Sequence, residues 1–457
     1  MLSPSRTAAF DILMRVEQGA FADELLHSER LDELSAADRA LCTEIVMGVL
    51  RWRSQLDDWT AAWSKLPPHK LDREVATALR MGVYQLTHLE RVPAHAAVDQ
   101  TVELVKRAGR RFSAPMVNAI MRKLAAEKPQ LPPPPAEEAS LEKLASATAH
   151  RLWLLERWSA EYGPRAAWQI ATHDQRIPVP AVRLSDLAVE ADLQAENIEL
   201  EPGALLAQAR RVISGITKTR GFADGRIYLQ DEASQLVALL VGQGGRILDC
   251  CAAPGGKTSL IAERSPSSQV VATELHPARA RLTRRLVRAG NVHVIAADAE
   301  ALPLAASFDR ILADVPCSGT GTLARNPEIK WRLRLEDLQD LHRRQAAILR
   351  SALNHLATGG RLVYSTCSLE REENEDVIAE VTADRSDLRL LDCREELARL
   401  RSEGALIWSD IDSLVRGKFL RTLPGVHPCD GFFAALISRQ LPVAGRQRDV
   451  SPRVTGS

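Results

Sequence analysis

The chain has 457 residues, with 59 Lys plus Arg set against 59 Asp plus Glu and 45% hydrophobic residues. That length allows two to four domains with sizeable cores, and the zero net charge excludes a global basic field, so any nucleic-acid binding must use local basic faces. No apolar run approaches the ~20 residues that span a bilayer, Met1-Leu2-Ser3-Pro4-Ser5-Arg6 lacks a signal-peptide apolar region, and seven cysteines without a C-x-x-C pair argue against a disulfide scaffold or a metal knot. A reduced, cytoplasmic protein without a resident metal or a membrane anchor is expected. With no heptad or spare apolar stripe, a monomer is expected too.

Residues 1–128 read as helices throughout. Phe10, Leu13, Val16 and Phe21 begin an amphipathic pattern, and Leu41, Ile45, Val46 and Val49 repeat it at helical spacing. Leu56, Trp59 and Trp63 make another stripe, as do Val75, Leu79, Val83 and Leu86, and then Val98, Val102 and Val105. Such stripes are core-forming faces, and Ser35 with Asp38 marks a helix start. Lys106, Arg107, Arg110 and Arg111 cluster just before Phe112, either as a solvated helix end or as a phosphate contact. The segment resembles the NusB-like helical RNA-binding domain. The likeness rests on Arg6-Thr7-Ala8-Ala9-Phe10-Asp11-Ile12-Leu13, Asp38-Arg39-Ala40-Leu41, Gly48-Val49-Leu50-Arg51, Ala94-His95-Ala96-Ala97-Val98-Asp99 and Val117-Asn118-Ala119-Ile120-Met121-Arg122, in that order.

The proline-rich stretch 129–136, with Pro132-Pro133-Pro134-Pro135, cannot continue a helix and reads as a semi-rigid linker. A module over 137–229 follows. It is helical to about 173, with Trp153, Leu154, Trp158 and Trp168 as core anchors. A strand at 177–184, a helix at 186–197 and a strand at 211–214 make the rest small and α+β. Ile227 through Ser234 leads into the last domain, 230–440, where the helix from Glu232 should pack beside the first strand.

That domain is organised around Cys251-Ala252-Ala253-Pro254-Gly255-Gly256-Lys257. An apolar run, Gly245-Arg246-Ile247-Leu248-Asp249-Cys250, precedes it, and Lys257 through Glu263 follows as a helix. A strand, a small-residue loop and a helix N-terminus form the place where a doubly wound α/β sheet holds a ligand. The glycines admit a ligand to the backbone, and the exposed amides favour anionic oxygens. A P-loop would need Gly where Cys251 stands, and a dinucleotide loop would need G-x-G-x-x-G, which is absent. S-adenosylmethionine fits best, with Glu274, closing the run Gln269-Val270-Val271-Ala272-Thr273, placed to grip a ribose diol.

Strands at 246–250, 269–274, 291–296, 308–313 and 361–366 alternate with helices at 257–264, 277–289 and 335–356, which predicts a parallel sheet. Chemistry should gather at the strand C-termini. The third strand delivers Asp298, which can accept from an adenine amino group or cap a turn. The fourth delivers Asp314-Val315-Pro316-Cys317-Ser318-Gly319, and the fifth Tyr364-Ser365-Thr366-Cys367-Ser368. Cys42, Cys250, Cys393 and Cys429 fit the inert buried thiol. Cys317 and Cys367, in polar loops beside the ligand, do not. Two thiols could make a disulfide, a metal site or a covalent catalyst, and no His neighbours either loop. Covalent catalysis suits the cofactor: carbon 5 of cytosine is a poor nucleophile until a thiolate adds to carbon 6. Chemistry alone does not choose which cysteine attacks.

Downstream, Arg325-Asn326-Pro327-Glu328-Ile329-Lys330-Trp331-Arg332 is basic with one aromatic and reads as an RNA-backbone contact through Arg325, Lys330 and Arg332, or else as an ordinary loop and helix start. Arg281, Arg284, Arg285 and Arg288 share one helix side and read as a solvated face. His427-Pro428-Cys429-Asp430-Gly431-Phe432-Phe433 turns into a closing apolar strand, and residues 442–457 read as a disordered tail.

Cys251 through Lys257, Asp314 through Gly319 and Thr366-Cys367-Ser368 together resemble the Sun/Nop2-type RNA 5-methylcytosine methyltransferases, and with the NusB-like segment they point to the bacterial RsmB-type (Sun/Fmu) branch acting on 16S ribosomal RNA. The resemblance implies an all-α NusB-like N-terminal domain, a small α+β middle module that contacts RNA, and an α/β Rossmann-like S-adenosylmethionine-dependent methyltransferase domain. It implies that Cys251, Ala252, Ala253, Pro254, Gly255, Gly256, Lys257, Glu274, Asp298 and Asp314 bind S-adenosylmethionine. It makes Cys367 the nucleophile and Cys317 the group that assists product release, whereas in DNA cytosine methyltransferases the Pro-Cys cysteine attacks. The implied partner is 16S ribosomal RNA, with a stem-loop target, since a stacked cytosine would have to be flipped out. Alternatives are another ribosomal or transfer RNA site, a nicotinamide oxidoreductase, which would lack its glycine fingerprint and leave two loop cysteines unexplained, and a non-catalytic RNA-binding assembly factor.

Overall fold

A computed structural model describes residues 2–440 except 29, 30, 65, 128, 130, 132, 134, 187, 213, 214, 217 and 218. The polar tail and part of the proline-rich linker therefore lie outside the described residues.

The N-terminal domain is built from helices Pro4–Val16, Ala22–Leu26, Ala36–Arg51, Arg53–Ser64, Arg73–His88, Ala94–Arg107 and Ala114–Glu127. The stripes predicted from spacing meet in one core, where Leu13, Ile45, Val49, Leu79, Val83 and Val105 are buried and Trp59, Trp63 and Leu86 pack against its edge. The Ser35 hydroxyl accepts from the Asp38 amide at 3.1 Å, which supplies the cap of the third helix.

The stretch 137–229 divides between two cores. Helices Leu141–Ala147, Leu152–Tyr162 and Pro164–Asp174 bury Leu154, Leu155, Trp158 and Ile170 together with Leu323, Ile329, Leu333 and Leu369. These helices thus share a core with the C-terminal domain. The remainder forms a four-stranded antiparallel sheet in the order Leu200–Pro202, Ala209–Val212, Ala181–Leu184, Ile227–Leu229, with its own core of Val182, Leu184, Val189, Leu193 and Ile227. Its joint to the C-terminal domain is Glu232, only 1% exposed, whose carboxylate accepts from the amides of Ala204, Leu205 and Leu206. The helix it opens, Glu232–Val241, lies against helix Gly256–Arg264 and strands Phe308–Asp314 and Leu356–Thr366.

The sheet of the C-terminal domain has a parallel part ordered Leu356–Thr366, Phe308–Asp314, Arg246–Asp249, Gln269–Glu274, Val292–Ala296. Strand Phe433–Arg439 adds antiparallel to Leu356–Thr366, and Phe419–Arg421, Val415–Arg416 and Leu388–Leu391 complete the sheet. Helices on both faces bury the central runs, so Ile247, Leu248, Ile311, Leu312, Leu362 and Val363 are all interior. Leu248 pairs with Val271 on one side and Ile311 on the other. Strand order reverses between Arg246–Asp249 and Phe308–Asp314, which opens a crevice at their carboxyl ends. Among the described residues no helix is long and apolar enough to cross a membrane.

Candidate active site

The first central strand ends in Asp249, and the chain then turns through a cis Ala253–Pro254 bond into helix Gly256–Arg264. Gly255 holds φ at +111°, and a Cβ there would stand 2.5 Å from Val287 Cγ2, so only glycine fits this corner. The helix has no side-chain cap, which leaves its first amides for a ligand. Beside them Asp249 is buried. Its Oδ2 accepts from the Thr258 hydroxyl at 2.7 Å, while Oδ1 has no hydrogen-bond partner. Burial pushes the Asp249 carboxyl up to about 6. An orphaned buried oxygen and a bare helix N-terminus suit a ligand that carries both an ammonium and a carboxylate, as the methionine part of S-adenosylmethionine does.

The next carboxylates stand at neighbouring strand ends. Glu274 accepts from the His276 amide at 3.0 Å through Oε1. Asp298 accepts from the Glu300 amide at 2.9 Å through Oδ1, so it caps the following turn. Asp314 accepts from the Ser365 hydroxyl at 2.7 Å and pairs with the Lys257 ammonium at 2.7 Å. Burial pulls the Lys257 ammonium down, but Asp314, the Cys367 sulfur and Asp249 outweigh it and hold its pKa above the usual value.

Cys317 and Cys367, fifty residues apart, bring their sulfurs to 3.3 Å without a bond between them. The hydrogen bond to Cys367, then burial, raises the Cys317 thiol well above its ordinary pKa. Either sulfur can donate in this contact. Two devices hold this geometry. The Gly321 amide donates to the Cys367 carbonyl at 2.9 Å, and a Cβ on Gly321 would collide with the Gly431 carbonyl at 2.2 Å. Glu373, fully buried, accepts from the Ser318 amide at 2.8 Å, from Gln345 Nε2 at 2.9 Å, and from the hydroxyls of both Ser318 and Ser368. Each serine follows one of the two cysteines, so one carboxylate clasps both loops. Sequence reasoning missed Glu373, because Ser318 and Gln345, which it joins to the neighbouring Ser368, lie 55 and 28 residues away in the chain.

A model described as 16S rRNA methyltransferase RsmB/F matches residues 236–438, and a NusB family model matches residues 3–126. The ribosomal RNA small subunit methyltransferase B of Xanthomonas campestris is 31% identical over 95% of this chain and 96% of its own. That of Vibrio cholerae is 32% identical over 89% of this chain and 91% of its own. This chain belongs to the RsmB/F family. S-Adenosylmethionine is the cofactor of this RsmB/F chain, and the glycine turn, Asp249 and the bare helix start are consistent with holding it. Among solved structures, a methyltransferase homologue from Pyrococcus horikoshii is 28% identical, with a TM-score of 0.54 over 66% of this chain and all of its own. The PH0851 crystal structure shares the fold, with a TM-score of 0.77 at 22% identity over 96% of this chain and 99% of its own.

The basic stretch 325–332 of this RsmB/F chain is placed differently from its reading as an RNA-backbone contact. Lys330 has no exposed surface and donates to the Arg51 carbonyl at 2.9 Å in the joint with the helical domain; burial lowers its pKa. Arg325 pairs with Asp231 at 3.2 Å and Asp430 at 3.0 Å. Arg332 donates to the carbonyls of Gly19 and Ala20. The sequence displays the charges of these residues but not the carbonyls and carboxylates that meet them across domains. The other basic cluster remains on the surface. Lys106 pairs with Glu103, Arg107 with Asp11 and Arg110 with Glu74, while Arg111 is exposed beside the fully exposed Phe112.

Proposed function

We propose that this chain methylates carbon 5 of a cytosine in 16S ribosomal RNA, in the cytoplasm, through a covalent adduct on Cys367. The observation that carries the reading is the Cys317–Cys367 contact at the crevice edge beside Lys257 and Asp314. Cys367 loses its own proton to water and, as the thiolate accepting a hydrogen bond from the Cys317 thiol, adds to carbon 6 while the ring's double-bond electrons move to carbon 5. S-Adenosylmethionine, when bound, supplies the methyl group that carbon 5 takes. Once the Cys367 sulfur is bonded to carbon it no longer draws the Cys317 proton, and the largest influence raising the Cys317 thiol is gone. Cys317 can then release that proton to water, take the proton from carbon 5, and let the returning electron pair expel the Cys367 thiolate. Glu274 would hold the ribose diol and Asp298 the adenine amino group. An unpaired or flipped-out cytosine in a stem-loop suits a pocket that must reach both faces of the ring edge.

The test is to incubate the alanine variants with a ribosomal RNA fragment and S-adenosylmethionine and resolve the products on a denaturing gel. Cys317→Ala should accumulate a protein–RNA adduct and Cys367→Ala should form none. The opposite pattern reassigns the nucleophile, and no adduct with either variant refutes the covalent route.

A further inference from the structure

A cleft of about 300 Å³ opens beside Cys317, with one wall from the helical domain and the other from the catalytic domain. We propose that this cleft takes the nucleobase adjacent to the target cytosine, stacked on Phe21. The proposal rests on the reading of the chain as an RNA cytosine methyltransferase.

The target ring has to touch Cys367 and the cofactor end of the crevice. Neither Cys367, Asp314 nor Lys257 lines this cleft, whereas Cys317 does. The cleft therefore begins where the target ring ends, one nucleotide step along the strand. Phe21, just before the second helix, is 46% exposed, while its neighbours Val16 and Ala22 are buried in the core. The Arg332 guanidinium lies 4.5 Å from its ring centre and is itself fixed by donation to the Gly19 and Ala20 carbonyls at 3.2 and 2.9 Å. Arg332 lines the cleft as Phe21 does, so a base entering it meets an exposed aromatic ring and an anchored guanidinium, both of which stack on base faces. Leu333 and Ile329 make the facing wall apolar, which suits the flat side of a base. Asp337 and Asp340 line the cleft together with Arg332 and Arg344, so it carries no excess positive charge to select phosphate, while its carboxylates can accept from exocyclic amines, which favours a base as the occupant. The walls hold still because the domains are bolted together: the Ala22 amide donates to Glu328 Oε1 at 3.1 Å, and Arg51 Nη2 donates to the Ala324 carbonyl at 3.0 Å.

The experiment uses a stem-loop RNA with the target cytosine in the loop and 2-aminopurine on either side of it. Binding to the full chain should quench 2-aminopurine at one of the two flanks. Phe21→Ala should abolish that quenching and raise the KM for RNA about 10-fold, the range of one lost base–aromatic stack, with a smaller change in kcat; Phe21→Trp should restore both. Phe21→Leu, which keeps apolar bulk, serves if the alanine variant does not fold, and should also lose the quenching. Unchanged quenching in either variant, or an unchanged KM, overturns the proposal. A Cys317→Ala chain carrying Phe21→Ala should still form the RNA adduct at saturating RNA. If Cys317→Ala alone forms none, the failure lies in the proposed function and not in the cleft.

Discussion

Adding one methyl group at each of two consecutive glycines should separate the architecture of the glycine turn from its ligand. At Gly255 the backbone sits at φ +111°, and an added Cβ would meet Val287 Cγ2 at 2.5 Å and Thr283 Cγ2 at 3.2 Å. Val287 is only 7% exposed, so it cannot retreat into solvent. An L-residue in left-handed backbone costs about 1–2 kcal/mol, and overpacking a buried contact about 1–3 kcal/mol, so Gly255→Ala should destabilise the ligand-free chain by about 2–5 kcal/mol. At Gly256 the nearest atom is Gln230 Cδ at 3.6 Å, an ordinary contact, and the residue opens a helix. Gly256→Ala should therefore stay within about 1 kcal/mol of the parent, helped by alanine's helix propensity. For a domain of this size, 3 kcal/mol corresponds to a Tm drop of about 6–12 °C. Calorimetry without S-adenosylmethionine is the assay, because a methyl at either position could also obstruct the ligand. Equal Tm losses for the two variants would refute the reasoning.

Three further outcomes follow from the same site. The folded Asp249 pKa, pushed up to about 6, lies above the usual carboxyl value near 3.8, so its stabilising contribution is complete below the unfolded pKa and is lost as pH rises through about 6. The unfolding free energy of Asp249→Asn relative to the parent should thus grow by up to about 3 kcal/mol between pH 4 and pH 7 in urea titrations; a difference flat with pH would refute it. Glu373→Gln weakens the shared acceptor for Ser318 and Ser368 and should lower kcat about 10-fold, one charge-assisted hydrogen bond's worth, while leaving the KM for RNA and the affinity for S-adenosylmethionine in place; a changed KM at constant kcat would contradict a positioning role. Lys330→Met removes a buried ammonium, so the slope of log affinity for RNA against log salt should not move, whereas loss of a phosphate contact would lower it by about 0.9; a shift of that size in fluorescence anisotropy titrations would restore Lys330 as an RNA contact.

The parallel strands were legible because each contains an apolar run closed by a polar loop, and burial on both faces of the central ones writes that pattern directly into the sequence. Strands such as Leu200–Pro202 and Phe419–Arg421 were not, since three residues carry no period and their pairing is decided by partners elsewhere in the chain. The same rule divides the site. The glycine turn and the two cysteine loops are local motifs and could be read residue by residue. Glu373 depends on groups contributed by residues 318, 345 and 368, and Lys330 on a carbonyl at residue 51, so no window of sequence shows either role. Phe21 could be read only as one more apolar residue in a helical stripe, because its exposure is a property of the surface it faces.

Helix Ala36–Arg51 ends with the carbonyls of Leu50 and Arg51 taken by the Trp331 indole and the Lys330 ammonium. A helix leaves its final carbonyls without internal partners, and its C-terminal end favours positive charge. Here the missing finish comes from another part of the polypeptide. Cut free at the proline-rich segment, the N-terminal bundle would have to complete that helix with water, so its last turn should fray and exchange amide protons faster than it does in the intact chain.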